Sequence, residues 1–157
     1  MKTINNFLQE KDRSFEKKDS VKAIVSDDKG NILILRRANN EGGGGNFDVP
    51  GGAIEKGENK FDALKREVFE ETNLKINEIK FLTSFVLKIP ETGINSELNI
   101  YTANTKGTDV KLKPATWKGS NGTPEHTEFK WINKKLDLEN LPMLPQLKKI
   151  VMKELKD

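Results

Sequence analysis

Residues 49–74 read VPGGAIEKGENKFDALKREVFEETNL, and the fold is decided there. A proline–glycine turn leads through a short strand and a glycine-containing loop into a helix loaded with carboxylates. Asn59 is placed to act as N-cap, with Asp62 three residues on in a capping-box-like position. Asn73 is placed to end the helix, because asparagine tolerates the left-handed backbone that closes one. At about 100° per residue, Phe61, Leu64 and Val68 fall on one apolar stripe. Glu67, Glu70 and Glu71 are i, i+3 and i+4 neighbours sharing an adjacent arc roughly 100° wide. Like charges at that spacing repel. An acidic helix face is ordinarily just solvated. A divalent hard cation gives the grouping a purpose, because Mg²⁺ takes oxygen ligands and shares carboxylates with a phosphate substrate.

The residues around the helix extend the pattern. Gly52, five residues, Glu58, seven residues, then Arg66-Glu67-Val68-Phe69-Glu70-Glu71-Thr72-Asn73-Leu74 is a long motif with many fixed positions. It resembles the signature box of the Nudix hydrolases: G, five of any residue, E, seven of any residue, R-E-U-x-E-E-x-G-U, with U aliphatic. One specified position departs, since Asn73 stands where the family has glycine. Both residues accept positive φ, so the departure is mild.

Upstream, Val21–Asp27 and Asn31–Arg37 are rich in aliphatics and separated by Asp28-Lys29-Gly30, which predicts a β-hairpin. Ala38–Asn46 holds four consecutive glycines but lacks the Gly-Lys-Ser/Thr ending of a phosphate-binding loop, and reads as a connector flanking a cleft. Phe47–Pro50 is a short strand leading into the Gly51-Gly52 turn, where backbone can approach a metal or phosphate. Downstream, Glu78–Ile89 and Ser96–Ala103 predict a second hairpin through Pro90–Gly93. Lys106–Trp117 is a strand or an irregular loop, and Lys118–Pro124 is loop-like. Glu128–Ile132 is a last strand. Asn133 can cap a short helix through Leu138, and Leu144–Leu155 predicts a terminal helix with Leu147, Ile150, Val151 and Leu155 on one side.

Strands separated by one central helix, with further helix at the end, predict an α/β fold whose mixed sheet is covered on both faces. The resemblance sharpens this to the Nudix-type α/β/α sandwich and covers roughly Val21 to Leu155. Residues 20–157 are read as that domain, and residues 1–19, with Ile4, Phe7, Leu8 and Phe15, as an N-terminal arm or short helix.

Composition narrows the chemistry. The 157 residues suit one domain, and 34% hydrophobic with 32% charged content suits a highly charged surface. With no cysteine there is no disulfide, thiolate zinc site or cysteine nucleophile. One histidine, His126, excludes a multi-histidine metal site and reads as a surface or hydrogen-bonding residue. The amino terminus lacks the apolar core of a signal peptide, and no run is long enough to span a membrane, so a cytoplasmic location is expected. The net charge of +3 permits an anionic substrate, yet lysines mostly sit beside acids, as on a solvated surface and unlike a nucleic-acid stripe. The sequence carries no reading of oligomeric state.

What the resemblance implies is Mg²⁺-dependent hydrolysis, with Mn²⁺ able to substitute, of a pyrophosphate bond in a nucleoside diphosphate linked to another moiety. The substrate is then a small nucleotide, such as a nucleoside triphosphate or ADP-ribose. Glu70 and Glu71 are implied as metal ligands, with the Gly51 carbonyl. Glu67 is implied as a ligand or as the base that orients water, and Glu58 as the partner of Arg66 or part of the outer metal shell. Outside the box, Glu125 lies six residues before Trp131, where MutT-type members carry a glutamate facing the metal; Glu128 competes with it, and a plain loop acid is the alternative. Arg37 resembles a phosphate-binding position, although a strand-end arginine is equally at home in solvent. Phe47, Trp117 and Trp131 can stack on a base or lie in the core. Pro90, sixteen residues past Leu74, matches a marker of ADP-ribose members and also suits a turn. Two other functions compete. A nucleotide sensor that does not cut is opposed by the intact carboxylate set, and an RNA 5′-end pyrophosphohydrolase would need a basic channel to the metal.

Overall fold

A computed structural model describes residues 18–39, 44–89, 94–113 and 124–157. Outside it lie most of the expected N-terminal arm, the first two glycines of the Gly42–Gly45 run, residues 90–93 where a turn is expected, Trp117 and most of the stretch before Pro124. The elements in chain order are β1 (Lys18–Ser26), β2 (Ile32–Arg37), β3 (Phe47–Asp48), β4 (Gly51–Ala53), α1 (Lys60–Thr72), β5 (Asn77–Ile89), β6 (Ile94–Asn104), β7 (His126–Ile132), α2 (Lys135–Glu139) and α3 (Pro145–Glu154). Lys18 and Asp19 thus belong to β1, not to an arm, because the parallel pairing with β6 starts at Lys18↔Ser96.

The strands form a seven-stranded mixed sheet in the order β3-β2-β1-β6-β5, with β4 paired to β1 and β7 to β2. β1 and β6 run parallel; the other pairings are antiparallel. Strand alternation splits the apolar residues between two layers. Val21, Ala23, Val25, Leu33 and Leu35 meet Ala63, Leu64 and Val68 of α1 on one face. Ile24, Ile32, Ile34, Leu98 and Ile100 meet Leu138, Leu147 and Val151 of the C-terminal helices, with Leu155 just past them, on the other. This is the α/β/α sandwich. Truncating fully buried Leu64 to alanine would cost about 2–5 kcal/mol.

The central helix ends as the side chains dictate. Asn59 Oδ1 accepts the Asp62 amide at 2.8 Å, and Asn73 sits at φ 65° with its N–H on the Phe69 carbonyl. One member of the expected apolar stripe is displaced: Phe61 is half exposed and meets Tyr101 edge-on. It sits in the first turn, at the border of the helix face that Leu64 and Val68 bury. The short C-terminal helix begins one residue later than expected, with Asp137 Oδ2 accepting the Asn133 and Lys134 amides. Residues 106–113 take no strand pairing and are irregular.

Four pieces converge at one edge of α1: the β3–β4 turn, the end of β2, the start of β7 and the second half of the helix. A register shift between Arg36 and Arg37 brings Arg37 opposite His126, and the Ala38 N–H then donates to the Glu125 carbonyl at 2.8 Å. A bulge there re-aims the side chains that follow.

Candidate functional site

The outer part of the site is built on Arg66. Its Nε and Nη2 donate to the two Glu58 oxygens at 2.8 and 2.9 Å, a bidentate pair across eight residues. Nη2 also donates to the Ala53 carbonyl, and Nη1 reaches Glu67 at 3.0 Å and Glu70 at 3.2 Å. One guanidinium therefore ties the β4–α1 loop to the helix and draws two of its glutamates together. The hydrogen bonds from Arg66 hold the Glu58 carboxyl below its ordinary range. Glu67 moves the other way. Burial raises it against the pull of Arg66, and the charges of Glu70 and Glu125 add to the rise. Its carboxylate lies against the Gly52 backbone, where a Cβ would come within 2.6 Å of it. Gly51 is equally constrained, since a side chain there would run into the Val21 carbonyl.

The inner part is centred on Glu71, which is 9% exposed. Its Oε1 accepts the Gly51 N–H at 2.9 Å, and its Oε2 lies 3.2 Å from Nδ1 of buried His126. Burial lifts the Glu71 carboxyl well above its usual range; the charge of Lys22 and the Gly51 N–H pull it back, and Glu67 and Asp48 push it up again. Beside it, Lys22 Nζ pairs with Asp48 Oδ2 at 2.8 Å, and Arg37 Nη1 reaches the same oxygen at 3.3 Å. Asp48 Oδ1 accepts the Val49 N–H at 2.8 Å. Burial alone would raise Asp48, but Lys22 and then Arg37 hold it below its normal value. His126 is lowered to about 4, by burial first and then by Lys22.

The expected residues divide between these parts. Glu71, Glu125 and His126 bring ligand atoms within 4.8 Å of one another. Glu67 and Glu70 instead turn an oxygen each toward Arg66, so the three helix glutamates do not converge by themselves. Gly51 lies beside Glu71, meeting it through its N–H. Of the two glutamates weighed in the loop before Trp131, Glu125 faces the site. Glu128 instead lies 3.7 Å from Arg36 and 3.9 Å from Lys130, and is well exposed. Arg37 stands partly exposed at the rim.

Phe47 is not a stacking residue. It is 3% exposed and packs in the apolar layer under the C-terminal helices, because β3 pairs with β2 and turns that side chain inward. Trp131 packs against the layer under α1, with its Nε1 buried and unpartnered among the described residues. His126 is no surface residue. Sequence reasoning missed Lys22 and Asp48 altogether. Their signal was a charged residue flanked by apolar ones inside a strand, Val21-Lys22-Ala23 and Phe47-Asp48-Val49. Such a residue is normally solvent-facing, and here the pairing of β1, β3 and β4 encloses both.

The donor set fits a divalent hard cation. Burial disfavours the ionised forms of Glu71 and Glu67, a cost a bound cation would offset, and two of the three converging donors are carboxylates beside a glycine turn where backbone comes close.

A family model of the NUDIX domain matches residues 16–153. The chain is similar in structure to a MutT protein from Methanosarcina mazei Go1, with TM-score 0.71 and 23% identity over 88% of this chain and 92% of that one. It is similar also to a MutT NUDIX hydrolase from Burkholderia pseudomallei (TM-score 0.69, 19% identity, 90% and 99% covered). A third likeness is to the E. coli ORF135 protein (TM-score 0.66, 20% identity, 88% and 89% covered).

Proposed function

The chain belongs to the Nudix family of hydrolases, and from that premise we propose that it cleaves, with Mg²⁺ or Mn²⁺, the pyrophosphate bond of a nucleoside diphosphate linked to another group. One observation carries the reading: the buried Glu71 carboxylate, its ionised form disfavoured by burial, lies within 4.8 Å of a Glu125 oxygen and shares a helix with Glu67 and Glu70. The cation would be held by Glu70, Glu71 and the Gly51 carbonyl. When bound it supplies charge for the phosphate oxygens and makes water more acidic.

The protein's own residues do the rest. Water oxygen attacks phosphorus, the bridging P–O bond breaks, and the products are a nucleotide and a phosphorylated partner. The water's proton passes to a carboxylate. Glu125 and Glu67 are the two candidates to take it, and burial raises Glu67 toward the range a base needs at neutral pH. Arg37, fixed by Asp48, offers its guanidinium to a phosphate oxygen. Arg66 and Glu58 keep the loop against the helix so that the glutamates hold their spacing.

The test is mass spectrometry of products from a mixed panel: nucleoside triphosphates, nucleotide sugars, ADP-ribose, dinucleoside polyphosphates and 5′-triphosphate RNA, each with Mg²⁺ and with excess chelator. Cleavage of a small nucleotide that stops on chelation is expected. Turnover undiminished by chelator would sink the metal role; tight binding without products would mark a sensor, and cleavage of RNA alone an RNA-end hydrolase.

A further inference from the structure

His126 is 5% exposed and belongs to neither apolar layer. Burying an imidazole without satisfying it is costly, and Nε2 finds no hydrogen-bond partner among the described residues. Nδ1 does meet a group, the Glu71 Oε2 at 3.2 Å. A carboxylate that ligates a cation is ionised and only accepts, so in that state the hydrogen of the pair sits on Nδ1. Glu71 then meets a neighbour at each oxygen: Oε1 accepts the Gly51 N–H, and Oε2 lies 3.2 Å from the imidazole Nδ1. The two groups come from different strands, β4 and β7, one at each carboxylate oxygen. The ring is also well placed in sequence for this task. His126 opens β7 directly after Glu125, whose own carbonyl is tied to Ala38, so the imidazole is fixed by a strand and not by a loop.

We propose that His126 is a positioning residue for the metal site: its Nδ1–H aims the Glu71 carboxylate so that the remaining lone pairs of both oxygens face the cation. The proposal rests on the reading of Glu71 as a metal ligand. Donors behind a ligating carboxylate set its direction and basicity, and losing one typically weakens metal binding about 10–100-fold. His126 acts through Glu71 and does not touch substrate.

Asparagine and glutamine separate this role from simple packing. The Asn amide nitrogen falls near the place of Nδ1, the Gln amide nitrogen near that of Nε2. The measurement is Mn²⁺ binding to the full chain by the electron paramagnetic resonance signal of free Mn²⁺, for wild type, His126→Asn, His126→Gln and Glu71→Gln. Metal-free melting of each is recorded alongside. The expected result is that His126→Asn binds Mn²⁺ much as wild type does, while His126→Gln weakens it about 10–100-fold. Equal weakening in both His126 variants, or none in either, overturns the positioning role. If His126→Gln does not fold, His126→Asn alone decides, by keeping or losing the affinity. Wild-type binding by Glu71→Gln would instead remove the premise that Glu71 is a ligand. A directly bound ¹⁴N seen by electron spin echo on the wild-type Mn²⁺ complex would make His126 a ligand and overturn positioning by another route.

Discussion

The two halves of the charged site are made differently. The outer half gathers Glu58, Glu67 and Glu70 round Arg66, and every member comes from one stretch of 13 residues, Glu58–Glu70. The inner half gathers Lys22, Asp48, Gly51, Glu71 and His126 from β1, β3, β4, α1 and β7. Solvent reaches the outer half: Glu70 is 44% exposed, so its ion pair contributes only about 0–1 kcal/mol. Solvent hardly reaches the inner half, where Lys22 and Asp48 are each 12% exposed. An unpaired charge there costs several kcal/mol. The outer half keeps a loop in place; the inner half sets the charge state of the site. Adjacent residues fall on opposite sides of this divide, Glu70 outside and Glu71 within.

The largest expected effect comes from the inner half. Glu71→Gln is nearly isosteric and keeps an acceptor for the Gly51 N–H, while removing a ligand charge. Activity should fall about 10²–10³-fold, the usual range for losing electrostatic stabilisation of a transition state. Metal-free stability should hold or rise, because burial already disfavours the ionised form. Steady-state kinetics and metal-free melting check this together. A variant that melts well below wild type without metal would make Glu71 a structural anchor and erase the distinction between the halves.

Next comes the residue between the halves. Glu125 lies near Glu71 in the inner half and raises Glu67 in the outer. As the base, it should show a kcat loss of about a hundredfold in Glu125→Gln, with little change in KM, since the missing interaction matters in the transition state. The loss should shrink as pH rises and water ionises more readily. Glu128→Gln, in the exposed group with Arg36 and Lys130, should be nearly silent. A silent Glu125→Gln would pass the role to Glu67, and with it move the chemistry to the outer half.

The same divide marks what could be read from the chain. Helix periodicity groups Glu67, Glu70 and Glu71 on one arc, and the resemblance implies the Glu58–Arg66 pair that ties the loop to the helix. The layered fold was legible too: Val21, Ala23 and Val25 alternate cleanly, and Asn59 and Asn73 mark both ends of α1. The inner half depends on strand register. Lys22 stands opposite Gly51 and Arg37 opposite His126 only after β1 pairs with β4 and β2 with β7 across a bulge. No local pattern encodes those pairings. Phe47 failed for the same reason, since a two-residue strand does not say which way its first side chain points. His126 reads from the sequence as a surface or hydrogen-bonding residue; the informative feature is its place beside Glu125 at the start of β7.

The smallest effect is thermodynamic and separates the halves by pH. In the metal-free protein His126 titrates near 4 when folded and near 6.5 when unfolded. As pH falls from about 6.5, the unfolded chain takes a proton that the folded chain refuses, and stability is lost by up to about 1.4 kcal/mol per pH unit. Glu71 has the opposite sign. Its folded value lies well above the unfolded 4.5, so the folded chain takes the proton first and gains stability as pH falls toward 4.5. Glu67 adds to that gain in the same direction. The terms oppose one another between pH 4.5 and 6.5, so urea unfolding of wild type in chelator should vary less with pH than that of either single variant. Glu71→Gln should lose stability with acid, leaving the His126 slope exposed. His126→Asn should gain it, leaving the carboxylates. In the outer half Glu67 alone contributes in this window; Glu58 is lowered by Arg66 and loses its contribution only below about 4.5. Parallel profiles for all three proteins would mean that His126 and Glu71 titrate as solvated groups, and the inner half would then be as open to water as the outer.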